Sequence, residues 1–253
     1  MLASYPFVPL ARLVVTFLLL LIGGILLAIP LYHYDYYKFI RSTLFVKIMF
    51  WIPIFLLFVA FLYLSNPSRF VFLLLLLAFC LSELRAVLKK QRPALAKILI
   101  IYFIVFAAAL MHFFILGIVY PPQATSLLII ICFASVLSDV TAFFMGNYLG
   151  RHKLPAVLNN SKSWEGVLGQ VLGAFIGVWL VHTLIVNLPL QLFIPIGVGS
   201  AVGDLCNSYI KRLVGIKDWS NKIPGHGGYL DRLASLAGSV LFAFYYLKLS
   251  GII

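Results

Sequence analysis

Long apolar runs separated by short polar clusters set the pattern of this chain. Eight such runs stand out: Val8–Leu31, Thr43–Leu64, Phe70–Leu88, Leu95–Val119, Thr125–Asn147, Gly166–Asn187, Leu190–Ile210 and Leu233–Leu249. Each is close to the ~20 apolar residues that carry a helix across the hydrocarbon core of a bilayer. Pro, Asn, Ser and charged residues punctuate them, as loops require. The pattern predicts an all-α, polytopic integral membrane protein with about eight transmembrane helices. The first run is too long for a signal h-region, lacks a basic n-region and a small-residue cleavage site, and is read as the first span.

Composition agrees. The 253 residues are 63% hydrophobic and only 10% charged, with a mean hydropathy of +1.09. Soluble domains carry roughly 25% charged residues, so a water-facing surface is not available here and no separate soluble domain fits. The chain is read as an N-terminal group of about four spans, residues 1–124, and a C-terminal region, 125–253, that carries the chemistry. Cys80, Cys132 and Cys206 lie in apolar stretches without metal-ligand spacing and are read as small hydrophobes.

The charges orient the spans. Lys38, Arg41 and Lys47 flank the first loop on one side of the membrane. Arg85, Lys89, Lys90, Arg92 and Lys97 follow in the next loop on that side, then Arg151, Lys153 and Lys162, then Lys211, Arg212, Lys217, Lys222 and Arg232. These are sixteen of the 19 basic residues; only Arg12, Arg69 and Lys248 fall opposite. The positive-inside rule makes the basic side cytoplasmic and both termini external. The net charge of +12 is therefore gathered on one face, where it serves topology and attracts anionic head groups and substrates. No nucleic-acid-binding motif is present, and no nucleic-acid partner is expected.

All seven acidic residues lie on or near the basic side. Asp35 and Glu83 stand beside basic groups and are read as ordinary loop and span-end charges; Glu83 and Arg85, two apart, do not face each other on a helix. Asp139 and Asp204 lie within apolar spans, where a carboxylate is costly enough to mark function or a structural ion pair. Glu165 starts the sixth span, where a helix N-terminus favours an anion. His112 and His182 sit near external span ends without partners and are read as structural.

The densest polar segment runs from Gly203 to Arg232. It interleaves Asp204, Asp218 and Asp231 with Lys211, Arg212, Lys217, Lys222 and Arg232, and ends in the turn Pro224-Gly225-His226-Gly227-Gly228. Carboxylates hold Mg²⁺ together with substrate phosphates. Cations neutralise phosphate oxygens, and glycine-rich turns let backbone N–H groups approach an anion. Phosphoryl and nucleotidyl transfer need little else than such positioning and charge.

The ordered residues Ser208, Lys211-Arg212, Lys217-Asp218, Pro224-Gly225-His226-Gly227-Gly228 and Asp231-Arg232 resemble the signature of the CDP-diacylglycerol synthase (phosphatidate cytidylyltransferase) family. Upstream, Asp139 with Ala142-Phe143-Phe144 and Gly146, the run Gly150–Leu154, Lys162-Ser163-Trp164-Glu165-Gly166 and Gly203-Asp204-Leu205 are similar to other segments of that family. The resemblance covers roughly Asp139 to Ser235. It implies transfer of CMP from CTP to phosphatidate, giving CDP-diacylglycerol and pyrophosphate, with Mg²⁺ as cofactor and a homodimer as the assembly. It further implies Asp218, Asp231, Lys211 and Lys217 as catalytic residues, and Asp204, Asp218 and Asp231 as metal ligands. Ser208, Arg212, His226, Gly227, Gly228, Arg232, Lys162, Glu165 and Asp139 would bind or position the substrates. A bacterial inner membrane, with the site facing the cytoplasm, is the expected location.

Three departures stand out. The family's final signature carboxylate is Ala234 here, an acid often found before the signature serine is Asn207, and a Ser-Pro-Lys element reads Asn159-Asn160-Ser161. The alternative reading is therefore a non-catalytic or altered-substrate relative that binds a lipid phosphate or CTP.

Overall fold

The computed structural model describes residues 10–121, 123–155, 158, 161–225 and 227–251. Eight long apolar helices run through them, as the pattern predicts. They are α1 (Leu10–Ala28), α3 (Thr43–Tyr63), α4 (Asn66–Leu88), α5 (Pro93–Val119), α6 (Ala124–Tyr148), α7 (Trp164–Leu184), α8 (Phe193–Leu213) and α9 (Tyr229–Ser250). A short helix, α2 (Tyr36–Ile40), lies in the first basic loop. Its N-cap is Asp35, which accepts from Lys38 N at 3.0 Å, so Asp35 is the local loop charge the sequence implies.

The helices divide by burial. α6 is the centre: Leu127 through Ile131 are each fully buried, as an all-apolar helix surrounded by others must be. α1 and α3 bury few of their side chains and leave apolar ones exposed, among them Leu19, Leu26, Leu56 and Leu57, which is the composition of a lipid-facing surface.

Two helix pairs form the frame of the C-terminal region. α6 lies along α7, and α8 along α9. Both contacts use small residues. A Cβ on Gly173 would fall 2.3 Å from Leu137 O. On the other pair, a Cβ on Gly203 would fall 2.2 Å from Ala234 O, and one on Gly199 2.4 Å from Gly238 O. In a membrane, where lipid is as apolar as leucine, such backbone approach is what holds helices together.

Helix ends are capped within the chain. Ser42, Ser65 and Ser163 cap α3, α4 and α7, each accepting from the backbone N–H three residues on. The buried Arg69 closes the other end of α3, donating from Nη2 to Leu62 O at 2.6 Å and from Nε to Phe61 O at 3.3 Å. Carbonyls of a last helical turn lack their usual partner four residues on, and lipid offers none; Phe61 O otherwise accepts only from the cap residue, Leu64 N, at 3.3 Å. Arg69→Leu is expected to lower stability by about 2 kcal/mol, read as a drop in Tm in detergent; an unchanged Tm would mean that water replaces the guanidinium.

His112 and His182 each meet a backbone carbonyl close by in sequence. Their Nδ1 atoms lie 2.8 Å from Ala108 O and 2.6 Å from Leu188 O. The three cysteines are free thiols.

Candidate active site

The polar segment folds as the end of α8, a loop, and the first turn of α9. Ser208, Lys211 and Arg212 are helical residues of α8. The loop passes Gly215, Asp218 and Trp219, then closes on itself where Ile223 N donates to Gly227 O at 2.9 Å. Gly225 and Gly227 hold φ of +72° and +81°, a left-handed conformation that only glycine adopts without strain. α9 starts at once after Gly228, so Asp231 and Arg232 stand in its first turn.

Asp231 organises this loop. Its side chain is 1% exposed. Oδ1 accepts from Lys211 Nζ at 2.5 Å, and Oδ2 accepts from Trp219 N at 2.9 Å and Gly228 N at 3.0 Å. One carboxylate thus ties α8, the middle of the loop and the start of α9 together. Lys211 is correspondingly withdrawn, its side chain 14% exposed. Asp218 is exposed and converges on the same point. A Cβ placed on Gly227 would meet Asp231 Oδ2 at 2.9 Å and Asp218 Oδ1 at 3.4 Å. Any larger residue at position 227 would sit between the two carboxylates.

Trp219 is buried against the bundle. Its indole stacks on Tyr102 of α5 with centroids 6.1 Å apart, and its Nε1 donates to Asn207 Oδ1 at 2.8 Å. Tyr102 Oη donates to the same oxygen at 2.9 Å. Asn207 is thus a buried acceptor that holds the loop to α8 and α5.

Glu83 corrects the sequence reading. It is not a plain span-end charge. It is 1% exposed and sits at the N-terminus of α9. Its carboxylate accepts from Tyr229 N at 3.0 Å, Leu230 N at 3.1 Å and Ser220 Oγ at 2.6 Å. The first N–H groups of a helix lack intrahelical partners and carry partial positive charge, and here α4 supplies the anion that meets them. Lys222 Nζ donates to Ser82 Oγ at 2.7 Å beside it.

Asp204 and Asp139, helical residues of α8 and α6, form a second group. Asp204 pairs with Lys162 and accepts from Gln170 Nε2 at 3.2 Å. Asp139 accepts from Ser235 Oγ at 2.7 Å and Ser200 Oγ at 3.5 Å, and the charges of Asp204, Arg232 and Lys162 act on it. Among the described residues no three His, Cys, Asp or Glu gather as one metal-ligand group. Asp218 and Asp231 are brought together, and Asp204 lies apart on its lysine.

The remaining expected residues scatter around these groups. Glu165 accepts from His152 N at 3.1 Å and contacts His152 Nδ1 at 2.6 Å, bracing the loop between α6 and α7. Arg212, Lys217 and Arg232 are exposed, and Ser208 is buried. His226, Asn159 and Asn160 lie outside the described residues.

The sequence matches the cytidylyltransferase family over residues 4–250, nearly its whole length. The chain belongs to this family. Among curated relatives, the phosphatidate cytidylyltransferase of Haemophilus influenzae is 39% identical over 118 residues, 43% of this chain and 41% of that protein. Those of Mycobacterium bovis and Brucella abortus are 32% identical over 135 residues and 38% identical over 124 residues. These matches cover 52% and 46% of this chain, and 44% and 46% of the respective proteins. The aligned part thus spans less than half the length of the curated relatives.

Proposed function

We propose that this protein is a phosphatidate cytidylyltransferase: it takes CTP and phosphatidate and releases CDP-diacylglycerol and pyrophosphate. The observation that carries the reading is the convergence of Asp218 and Asp231 at Gly227, at the start of a transmembrane helix, with Lys217 and Arg232 as their neighbours in sequence. A phosphate oxygen of phosphatidate attacks the α-phosphorus of CTP, and the bond from that phosphorus to the β-phosphate oxygen breaks, releasing pyrophosphate. The lipid supplies the nucleophile, so no side-chain nucleophile is needed. What the protein supplies is alignment and charge. Lys217, Arg212 and Arg232 are the exposed cations that would neutralise phosphate oxygens, while Lys211 holds Asp231 in place.

The donor set fits Mg²⁺, which takes one or two carboxylates together with substrate phosphates. Asp218, exposed, and Asp231 behind it would hold the ion, which when bound offsets charge on the departing pyrophosphate. Asp204 enters this set only by moving off Lys162. The basic end of the bundle faces the cytoplasm in this reading, where CTP is found, and the membrane is the bacterial inner membrane.

A turnover assay tests the reaction. Purified protein in mixed micelles receives radiolabelled CTP, phosphatidate and Mg²⁺, and label is expected in a CDP-lipid. Folded protein that transfers no label, across several lipid phosphates, overturns the reading in favour of a relative that binds lipid phosphate or CTP without chemistry. Ala234 motivates that second reading. It is buried against Gly203, next to Asp204. Ala234→Asp is expected to lower the Tm of metal-free protein by several degrees, because a buried carboxylate lacks a partner there, and Mg²⁺ is expected to raise the variant's Tm more than the native one's. Equal Mg²⁺ shifts would place position 234 out of the metal's reach.

A further inference from the structure

α5 carries none of the motifs above, yet its Tyr102 reaches the polar loop. The contact falls on Trp219, the residue after Asp218. The two rings lie almost parallel, at 6°. Trp219 is 4% exposed, and both of its N–H groups are engaged. The backbone N–H donates to Asp231 Oδ2, and the indole Nε1 donates to Asn207 Oδ1. Asp231 in turn holds Lys211. Lys211 stands four residues beyond Asn207 on α8 and so shares its face. These contacts close a ring, from Asn207 to Trp219 to Asp231 to Lys211 and back along α8. Tyr102 pins the ring to α5 through its hydroxyl, which donates to the same Asn207 oxygen.

Asp218 takes its position from this ring. Its own side chain is exposed. The peptide that joins it to Trp219 is held at the N–H by Asp231, and the ring beyond that peptide is held by Asn207 and Tyr102. A carboxylate on a freely moving loop would have to be ordered when its ligand arrives, and ordering it beforehand removes that cost from binding.

The ring also bears on Asn207 itself, which stands where the resembled signature often has an acid. An indole N–H can only donate. What it asks of position 207 is an acceptor oxygen, and an amide supplies one as a carboxylate does. Both donors, from Trp219 and Tyr102, meet that single oxygen, and neither requires it to be charged.

We propose that Tyr102, Asn207 and Trp219 are positioning residues that set Asp218 for the complex of Mg²⁺ with CTP, and that position 207 serves as an acceptor whose charge is immaterial, so that the absent acid does not disarm the site. The inference rests on the cytidylyl-transfer reading for the identity of the nucleotide, but the first part of its test needs no turnover.

Full-length protein in detergent is heated with and without Mg²⁺ and CTP, with no phosphatidate, so that no product forms. The rise in Tm reports binding to the folded state. Tyr102→Phe keeps the ring stack and loses the hydroxyl. It is expected to raise the MgCTP concentration that gives half the full Tm rise by about fivefold, the size of one lost hydrogen bond. Asn207→Leu leaves both donors without an acceptor and is expected to raise it by about tenfold or more. Asn207→Asp restores the acceptor and is expected to come back to within about twofold of native. In turnover, KM for CTP is expected to follow the same order while KM for phosphatidate stays unchanged. Tyr102→Phe alone decides the matter if Asn207→Leu does not fold. Variants with a lower ligand-free Tm but a native response to MgCTP would make the cluster packing only and overturn the proposal. A native Tm that saturating MgCTP leaves unmoved, or a KM for phosphatidate that rises with that for CTP, would overturn it as well. Asn207→Asp behaving like Asn207→Leu would overturn the acceptor role at position 207. Native protein that MgCTP stabilises, with the variants in the expected order but no label transferred, would keep the positioning role and sink the reaction. Native turnover with variants indifferent to MgCTP would do the reverse.

Discussion

Asp231→Asn is expected to abolish turnover, by about a thousandfold or more, and to lower stability at the same time. The reason lies in the donors around this carboxylate. Oδ1 receives the Lys211 ammonium, and Oδ2 receives two backbone N–H groups, from Trp219 and Gly228. All three are donors, and an asparagine has one acceptor oxygen and one donor nitrogen. With its oxygen toward the backbone, its amide N–H₂ faces an ammonium. With its oxygen toward Lys211, its N–H₂ faces two N–H groups. Neither rotamer satisfies the site, and the side chain is too buried for water to mediate. Breaking one partner of a buried pair costs ~3–5 kcal/mol. Part of that cost is expected as local opening of the loop and part as a lower Tm. The catalytic loss is larger, because the same change frees the loop that carries Asp218 and removes a proposed metal ligand; loss of one preorganised electrostatic partner alone is worth ~10²–10³ in kcat. The measurement is cytidylyl transfer alongside thermal unfolding in detergent. A variant with native Tm and more than a tenth of native turnover would show that Asp231 neither builds the loop nor serves the reaction.

Much of this arrangement can be read from the sequence, and the limits of that reading have physical causes. The eight spans are legible because lipid imposes a length and a polarity that few soluble helices share. Two spans begin earlier than the apolar pattern because their first helical turn is polar. α4 begins at Asn66 rather than Phe70, because Ser65 caps it and Pro67 is tolerated in its first turn. α9 begins at Tyr229 rather than Leu233, because Asp231 and Arg232 are part of the helix. The close pairing of α6 with α7 had a signal in Gly169, Gly173 and Gly177, spaced one helical turn apart.

The site residues separate in the same way. Asp218, Asp231 and the glycines are close in sequence, so the turn chemistry that joins them is local and legible. Asp139 and Asp204 are legible as acids in apolar surroundings, while their partners, Ser235 for the one and Lys162 for the other, come from distant segments. Glu83 is the instructive miss. Its partners lie 137 to 147 residues away, beyond any motif spacing. The signal was negative: on a helix Glu83 does not face Arg85, so an acid at the end of an apolar span was left without a local cation and needed a distant donor.

Glu83→Ala carries the second large effect, and it separates building the site from acting in it. The carboxylate lies beneath the first turn of α9, close enough that a Cβ on Gly228 would be 2.6 Å from its Oε2. Removing it leaves Tyr229 N, Leu230 N and Ser220 Oγ without their acceptor in a buried place, each at a cost of ~1–3 kcal/mol when water cannot reach it. It also removes an anion from a helix N-terminus, worth up to ~2 kcal/mol in a partly buried setting. Local rearrangement offsets some of this, and a net loss of about 3–5 kcal/mol is expected. The activity is expected to fall by about a hundredfold, because the first turn of α9 carries both Asp231 and Arg232. Glu83 touches neither substrate in the proposed reaction, so its effect passes through position alone. Glu83→Gln is the control that shows this. It keeps the volume and one acceptor, which serves Tyr229 N and Ser220 or else Leu230 N, so it is expected to recover most of the stability and a larger part of kcat than Asp231→Asn recovers. Hydrogen exchange at the backbone of 229–232 would report the mechanism directly: faster exchange in Glu83→Ala, intermediate in Glu83→Gln, in the order of their activities. Native exchange rates in Glu83→Ala with lost activity would instead make Glu83 a participant in the chemistry and remove it from the role of an anchor.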